Sequence, residues 1–177
     1  AVEGIVPDFL TMLHGVLDSP DIPLNVSRSY LQSDGNVKKI STHITKKVSD
    51  KLSEMFKNDR ADFEKKWNDI KVFIQYGVVT DEKFAEKAPD FTLYKNTEGQ
   101  YFTLSEYLEK IKNLQTDKEK NIIILYTNHL EQHHAYIQTA KERGYDVLIA
   151  DSPIEPHFIS RIESSNTQVR FKRVDAD

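Results

Sequence analysis

Asn121-Ile122-Ile123-Ile124-Leu125-Tyr126-Thr127 is the stretch that decides the fold. Four consecutive aliphatic residues in a short run suit a strand buried on both faces of a sheet. Downstream, Tyr136, Ile137 and Ala140 mark a helix that ends at Gly144. Val147-Leu148-Ile149 then reads as a second buried strand. A strand, a helix and a strand of these lengths make a parallel unit with a right-handed crossover. Phe158, Ile159 and Ile162 predict another helix. Gln168 to Val174, with Val169 and Phe171 alternating with Arg and Lys, predicts an edge strand. Upstream, Thr103-Leu104-Ser105-Glu106 is a capping box that starts a helix through Tyr107, Leu108 and Ile111. Phe91 and Leu93 alternate with polar residues, and Gly99 offers a turn.

Before Pro89 the periodicity changes. Val37, Ile40, Ile44, Val48, Leu52 and Phe56 recur every three or four residues, which is one apolar stripe on a long helix. Ser33 to Asn36 supplies start signals, and Asn58-Asp59 ends this helix and caps the next. Phe63, Trp67, Ile70 and Ile74 form the second stripe, with Gly77 placed to terminate it in a left-handed conformation. A short third helix is predicted from Asp81 to Lys87, stopped by Pro89. At the other end, Phe9, Leu10, Met12, Leu13 and Val16 can support a strand or one turn of helix. Pro20 and Pro23 then favour an ordered, extended loop from Asp18 to Leu24. The fold class expected is α/β: a small helical coil, then an α-β-α layered unit with a short, mainly parallel sheet. The expected division is 1–35, 36–88 and 89–177.

Composition narrows the function. The chain has 177 residues, 38% hydrophobic and 29% charged, which fits a soluble globular protein. A net charge of −4 gives no general field for nucleic acid or anionic lipid, and neither is expected as a partner. No apolar run approaches the roughly 20 residues of a membrane span. The start lacks a signal-peptide layout and an initiator Met, so a piece processed or cut from a longer protein is expected. There are no cysteines, so thiol catalysis and thiolate metal sites are excluded; a reducing, cytoplasmic setting is compatible. Asn25-Val26-Ser27 has the form of a glycosylation acceptor, read here as chance.

Three chemistries can be weighed and set aside. The six glycines are isolated, so neither a Walker loop nor a dinucleotide fingerprint can be built. His129 and His133 share a helix face at one-turn spacing, but Glu131 sits in the wrong place for the metalloprotease order. A polar helix face is expected there, and no metal. Ala88-Pro89-Asp90-Phe91-Thr92-Leu93, followed by Gly99 and Leu104-Ser105, resembles the opening of thioredoxin-like peroxidases. Those enzymes need a cysteine after the strand that here runs into Thr127-Asn128-His129. A cysteine-free thioredoxin-like binding module, with antiparallel strands between Phe91 and Asp151, therefore stays as the alternative.

The remaining feature is Gly15-Val16-Leu17-Asp18-Ser19-Pro20-Asp21-Ile22-Pro23-Leu24-Asn25-Val26-Ser27-Arg28, with Gln32 close behind. This run resembles the catalytic loop of the heat-shock protein 90 chaperones, departing from the family pattern at Pro20, Ile22 and Ser29. Tyr76-Gly77-Val78, the lysine-rich helix, the Ile-rich strand and Asp151-Ser152-Pro153-Ile154-Glu155 continue the resemblance, which looks bacterial. It implies the middle domain of an ATP-dependent chaperone, with residues 1–35 closing its first subdomain. ATP and Mg would be bound by a separate amino-terminal ATPase domain, with none held by this chain itself. Arg28 would be the catalytic arginine that reaches the γ-phosphate, because a guanidinium is permanently charged and forks onto phosphate oxygens. Asn25 and Gln32 would support that loop or face the nucleotide. His157 and Phe158 follow the Asp151–Glu155 loop, where an exposed bulky side chain could touch unfolded or partly folded client proteins; packing of Phe158 in the core is the alternative. The parent would be a cytoplasmic stress-response homodimer joined through a carboxy-terminal domain, and this piece alone would not hydrolyse ATP.

Overall fold

The computed structural model describes residues 34–176, which fall in two compact units, one ending at Phe91 and the other beginning at Thr92. The expected apolar stretch at Val6–Val16 and the loop at Asp18–Leu24 lie outside the described residues.

Three helices make up the described part of the first unit: α1 (Asp34–Asn58), α2 (Arg60–Thr80) and α3 (Glu82–Lys87). Ile44, Val48 and Leu52 of α1 are fully buried, as are Phe63, Trp67, Ile70 and Ile74 of α2, so both stripes face a common core. Each such side chain removed from water contributes about 1.5–3 kcal/mol. Phe56 and Phe63 meet edge to face at 5.6 Å, and the Arg60 guanidinium lies 5.1 Å over the Phe56 ring. Asp59 caps α2 by accepting the Asp62 N–H at 3.1 Å.

The α2 terminus differs from the expectation. The helix runs through Gly77 to Thr80, because Val78 is buried and holds the extra turn on the core. Asp81 is the true boundary. Its N–H donates to the Gly77 carbonyl at 2.9 Å, and its carboxylate accepts the Phe84 N–H at 2.9 Å to start α3. Pro89 sits inside a single 3-10 turn (Ala88–Asp90) that closes the unit.

The second unit begins with a small antiparallel hairpin, β1 (Tyr94–Lys95) and β2 (Tyr101–Phe102), turned at Gly99, whose φ of 82° suits glycine. Phe91 and Leu93 fall before this hairpin rather than in a strand. Residues 91–94 are all buried, so no alternation exists there. α4 (Leu104–Ile111) begins at Thr103, with both bonds of the capping box formed: the Glu106 N–H donates to Thr103 Oγ1 at 3.3 Å, and the Thr103 N–H donates to Glu106 Oε1 at 2.9 Å. Then follow β3 (Ile122–Thr127), α5 (His134–Glu142), β4 (Val147–Ile149), α6 (Glu155–Ser165) and β5 (Val169–Arg173). The three strands form a wholly parallel sheet in the order β4-β3-β5. This small parallel sheet with helices packed on it removes the thioredoxin-like alternative, which required antiparallel strands in the main sheet.

β3 is central but not buried on both faces. Ile124 and Thr127 are fully covered, while Ile122, Ile123, Leu125 and Tyr126 are half-buried, because two short flanking strands offer too little width for complete cover. α5 lays Ile137 and Ala140 against Val147 and Leu125. Tyr136, on the same helix, is exposed.

Both borders of the sheet are occupied. Along β4, the Thr97 N–H donates to the Val147 carbonyl at 3.0 Å, and Asn96 forms an antiparallel bridge to Leu148. Along β5, the Val169 N–H donates to the Asn166 carbonyl at 2.9 Å, and the Phe171 N–H to the Glu163 carboxylate at 2.8 Å. Among the described residues, no helix is long and apolar enough to cross a membrane.

Candidate functional site

Arg28, Asn25 and Gln32, the residues of the expected catalytic loop, lie outside the described residues. The geometry that can be built belongs to the second unit, at the carboxyl ends of its parallel strands, where ligands gather in open α/β sheets.

A cleft of about 290 Å³ opens there between β3, β4 and the start of α6, lined by Tyr126, Asn128, Asp151, Ser152 and Glu155 among others. The Asp151-Ser152-Pro153-Ile154-Glu155 loop forms its rim. The Ser152 N–H donates to Glu155 Oε2 at 3.0 Å, so the buried carboxylate closes the turn that launches α6. Burial, and secondarily the Glu155 charge, push the Tyr94 phenol well above its ordinary range, so it stays protonated beneath this loop.

Phe158 and His157 separate at this point. Phe158 is 1% exposed and packs on Tyr94 at 6.1 Å between ring centroids. It is a core residue, which decides for core packing and against the exposed client contact; the helical period turns Phe158 inward with Ile159. His157, one position earlier, is exposed.

The histidine pair is also rearranged. Residues 129–133 form a turn rather than the first turn of a helix, and α5 begins only at His134. His129 is exposed, and its Nδ1 accepts the Gln132 N–H at 3.3 Å. His133 is 7% exposed, with Nδ1 2.8 Å from the buried Thr127 hydroxyl and Nε2 3.4 Å from Asp175 Oδ2. The two rings do not share a face. The polar helix face expected of them is absent because Thr127 Oγ1 accepts the His129 N–H at 3.1 Å and holds these residues in a turn. Among the described residues, no group of three or more His, Asp or Glu side chains is placed to hold a metal ion. Asp175 in turn receives the Arg173 guanidinium on both oxygens, which holds its carboxyl below the usual range and raises the guanidinium.

A second polar cluster fixes the opposite end of the sheet. The Asn96 side-chain amide donates to the Asp146 carboxylate at 3.2 and 3.3 Å, and to Gln100 Oε1 at 3.0 Å. Gln115 joins two chain segments: its Nε2 donates to the Ile123 carbonyl and its Oε1 accepts the Asp146 N–H, each at 2.8 Å. The β3–β4 register starts at Leu125 and Val147, so the Gln115 amide fills the gap before the ladder begins. Burial foremost, then the neighbouring Asp146 carboxylate, push the Tyr107 phenol far above its ordinary range.

Thr127, Asp175, Gln115 and Asn96 were not singled out from the sequence. The only hint at Thr127 was a polar residue closing an aliphatic run.

Comparison with known proteins gives a consistent result. The model of the family described as Hsp90 protein matches residues 1–176. The chain is 60% identical over 177 residues to a chaperone protein htpG of Bacteroides fragilis, covering 100% of this chain and 26% of that protein. It is 52% identical over 176 residues to the chaperone protein HtpG of Porphyromonas gingivalis, covering 99% of this chain and 26% of that one. The chain thus spans about a quarter of the length of these curated relatives. Among solved structures, the middle domain of a Plasmodium falciparum heat shock protein superposes with a TM-score of 0.64 at 18% identity, covering 82% of this chain and 60% of that one.

Proposed function

Because this chain belongs to the Hsp90 protein family, we propose that it is the middle-domain part of an ATP-dependent molecular chaperone. The reading is carried by the run from Gly15 to Gln32, which keeps the asparagine, serine, arginine and glutamine of the family's catalytic loop. Residues 1–35 end the first middle subdomain, 36–88 form the helical coil, and 89–177 form the small α/β subdomain. ATP and Mg are bound by an amino-terminal ATPase domain of the parent. Arg28 reaches the γ-phosphate and offsets the charge that builds up on its oxygens during hydrolysis. Asn25 and Gln32 hold the arginine's loop or face the nucleotide.

Client proteins, unfolded or partly folded, contact the exposed side of the domain, with His157 on the rim of the Asp151–Glu155 loop as a contact residue. The parent is a cytoplasmic, stress-responsive homodimer joined outside these residues.

The test is Arg28→Ala in the full-length chaperone. ATP turnover should fall at least about tenfold, because an arginine finger is worth that much or more. Nucleotide affinity should change little, because the pocket belongs to the other domain. Unchanged turnover would reject the assignment of Arg28. Lost nucleotide binding would instead place the arginine in the ground-state pocket.

A further inference from the structure

The Thr127, His133 and Asp175 side chains stand in the order of a nucleophile, a base and an orienting carboxylate. The hydroxyl is not a nucleophile, however. Thr127 is fully buried, and its oxygen already accepts the His129 N–H at 3.1 Å. The chemistry of the arrangement lies in its proton count. An amide N–H can only donate, so the Thr127 oxygen is the acceptor in that bond. The hydroxyl keeps its own proton to donate, and His133 Nδ1 stands 2.8 Å away as an acceptor for it. Such a bond needs Nδ1 unprotonated, with the ring proton on Nε2, which lies 3.4 Å from Asp175 Oδ2.

We infer that Thr127, His133 and Asp175 form a protonation-sensitive latch, in which the neutral Nε2–H form of His133 pins the 128–133 turn between the end of β3 and the segment after β5. A second proton on the ring turns Nδ1 from acceptor to donor, and the Thr127 hydroxyl proton loses its place in a site closed to water. The cation would also stand at the N-terminus of α5, which disfavours positive charge. Asp175 acts in the other direction by attracting the imidazolium.

The groups that meet the ring are Asp175, with Arg173 bound to it from β5; the Thr127 hydroxyl from β3; and the Tyr136 ring, edge-on at 6.4 Å, from α5, while His129, Glu131 and His134 are the exposed titratable neighbours along the chain. Tyr126, whose phenol burial raises, shares the Arg173 and Asp175 charges.

The turn held by the latch carries Leu130, 46% exposed. Leu130 and Glu131, with His134, Ile137 and Lys141 of α5, line an open groove of about 530 Å³ whose far wall includes Thr97. Release of the turn therefore reshapes an apolar-edged surface without unfolding the sheet.

The experiment uses the 177-residue chain. The His133 ring is followed by ¹⁵N-resolved NMR through a pH titration, alongside hydrogen exchange at the His129 and Gln132 amides. The expected result is the Nε2–H tautomer at neutral pH and loss of His129 amide protection as the ring takes its second proton. Two variants then move the titration in opposite directions. Thr127→Val removes the bond that only the neutral ring can accept, and should raise the midpoint by roughly half a unit to one unit. Asp175→Asn removes the counter-charge and should lower it. An Nδ1–H tautomer at neutral pH, shifts of the same sign in the two variants, or His129 protection indifferent to the titration would each overturn the latch. If Thr127→Val fails to fold, the tautomer and the Asp175→Asn shift still decide the matter.

Discussion

Replacing Gln115 by Leu tests how the parallel sheet is anchored at its open end. The side chain is 6% exposed and makes two bonds, one to the Ile123 carbonyl and one from the Asp146 N–H, each at 2.8 Å. Leucine keeps the volume and removes both bonds. Each backbone group left buried without a partner costs about 1–3 kcal/mol. A groove of about 380 Å³, lined also by Ile123 and Lys172, opens beside Gln115 and leaves room for water near it. That places the expected loss near the lower end, about 2 kcal/mol in all. Urea unfolding followed by tyrosine and far-ultraviolet signals of the second unit measures it as a lower midpoint at unchanged slope. Gln115→Glu is a sharper control, since it restores the acceptor for Asp146 but sets a carboxylate against the Ile123 carbonyl. It should be no better than leucine. A loss under about 0.5 kcal/mol for Gln115→Leu, the range of an ordinary surface change, would refute the claim that the amide substitutes for a missing ladder bond.

Gly144→Ala should destabilise the second unit by roughly 1–2 kcal/mol, since φ there is +84° and the new Cβ would meet Leu114 Cδ1 at 3.2 Å; thermal unfolding that is unchanged would contradict this. Phe158→Ala should cost about 3–5 kcal/mol, while His157→Ala stays within about 0.5, both read by denaturant midpoints. The Asp117 carboxyl is held below its ordinary range, first by the Asn121 N–H. Its contribution is therefore complete above the unfolded carboxylate range near pH 4 and is lost as pH falls through the lower folded value. In Asp117→Asn this part of the acid dependence of the unfolding midpoint should disappear.

The helices were legible because each carries its own record of burial. Ile44, Val48 and Leu52, or Phe63, Trp67, Ile70 and Ile74, sit on one face by local spacing alone. Thr103 announced α4 for the same reason, since both bonds of its capping box lie within four residues. The end of α2 was misplaced because Gly77 is a permissive residue, and the packing of Val78 decided whether it would end the helix. The site residues divide along the same line. Arg28, Asn25 and Gln32 are proposed on a contiguous motif alone and lie outside the described residues. The pins of the second unit were not, because they join residues far apart in sequence: Asn96 meets Asp146, Gln115 meets Asp146, and His133 meets Asp175. No local period encodes such a pair. His129 and His133 illustrate the cost of reading locally, since spacing suggested one shared face and the Thr127 hydroxyl drew them into a turn.

The closed borders of the three-stranded sheet bear on how such a domain avoids growing onto other chains. A bare strand edge is a template, and any extended segment with free amides can continue it. Here the Glu163 carboxylate takes the Phe171 N–H, and Thr97 takes the Val147 carbonyl. The sheet therefore stops growing at three strands by its own side chains and loops. A ladder that ends itself gives a passing extended segment no row of free amides to continue.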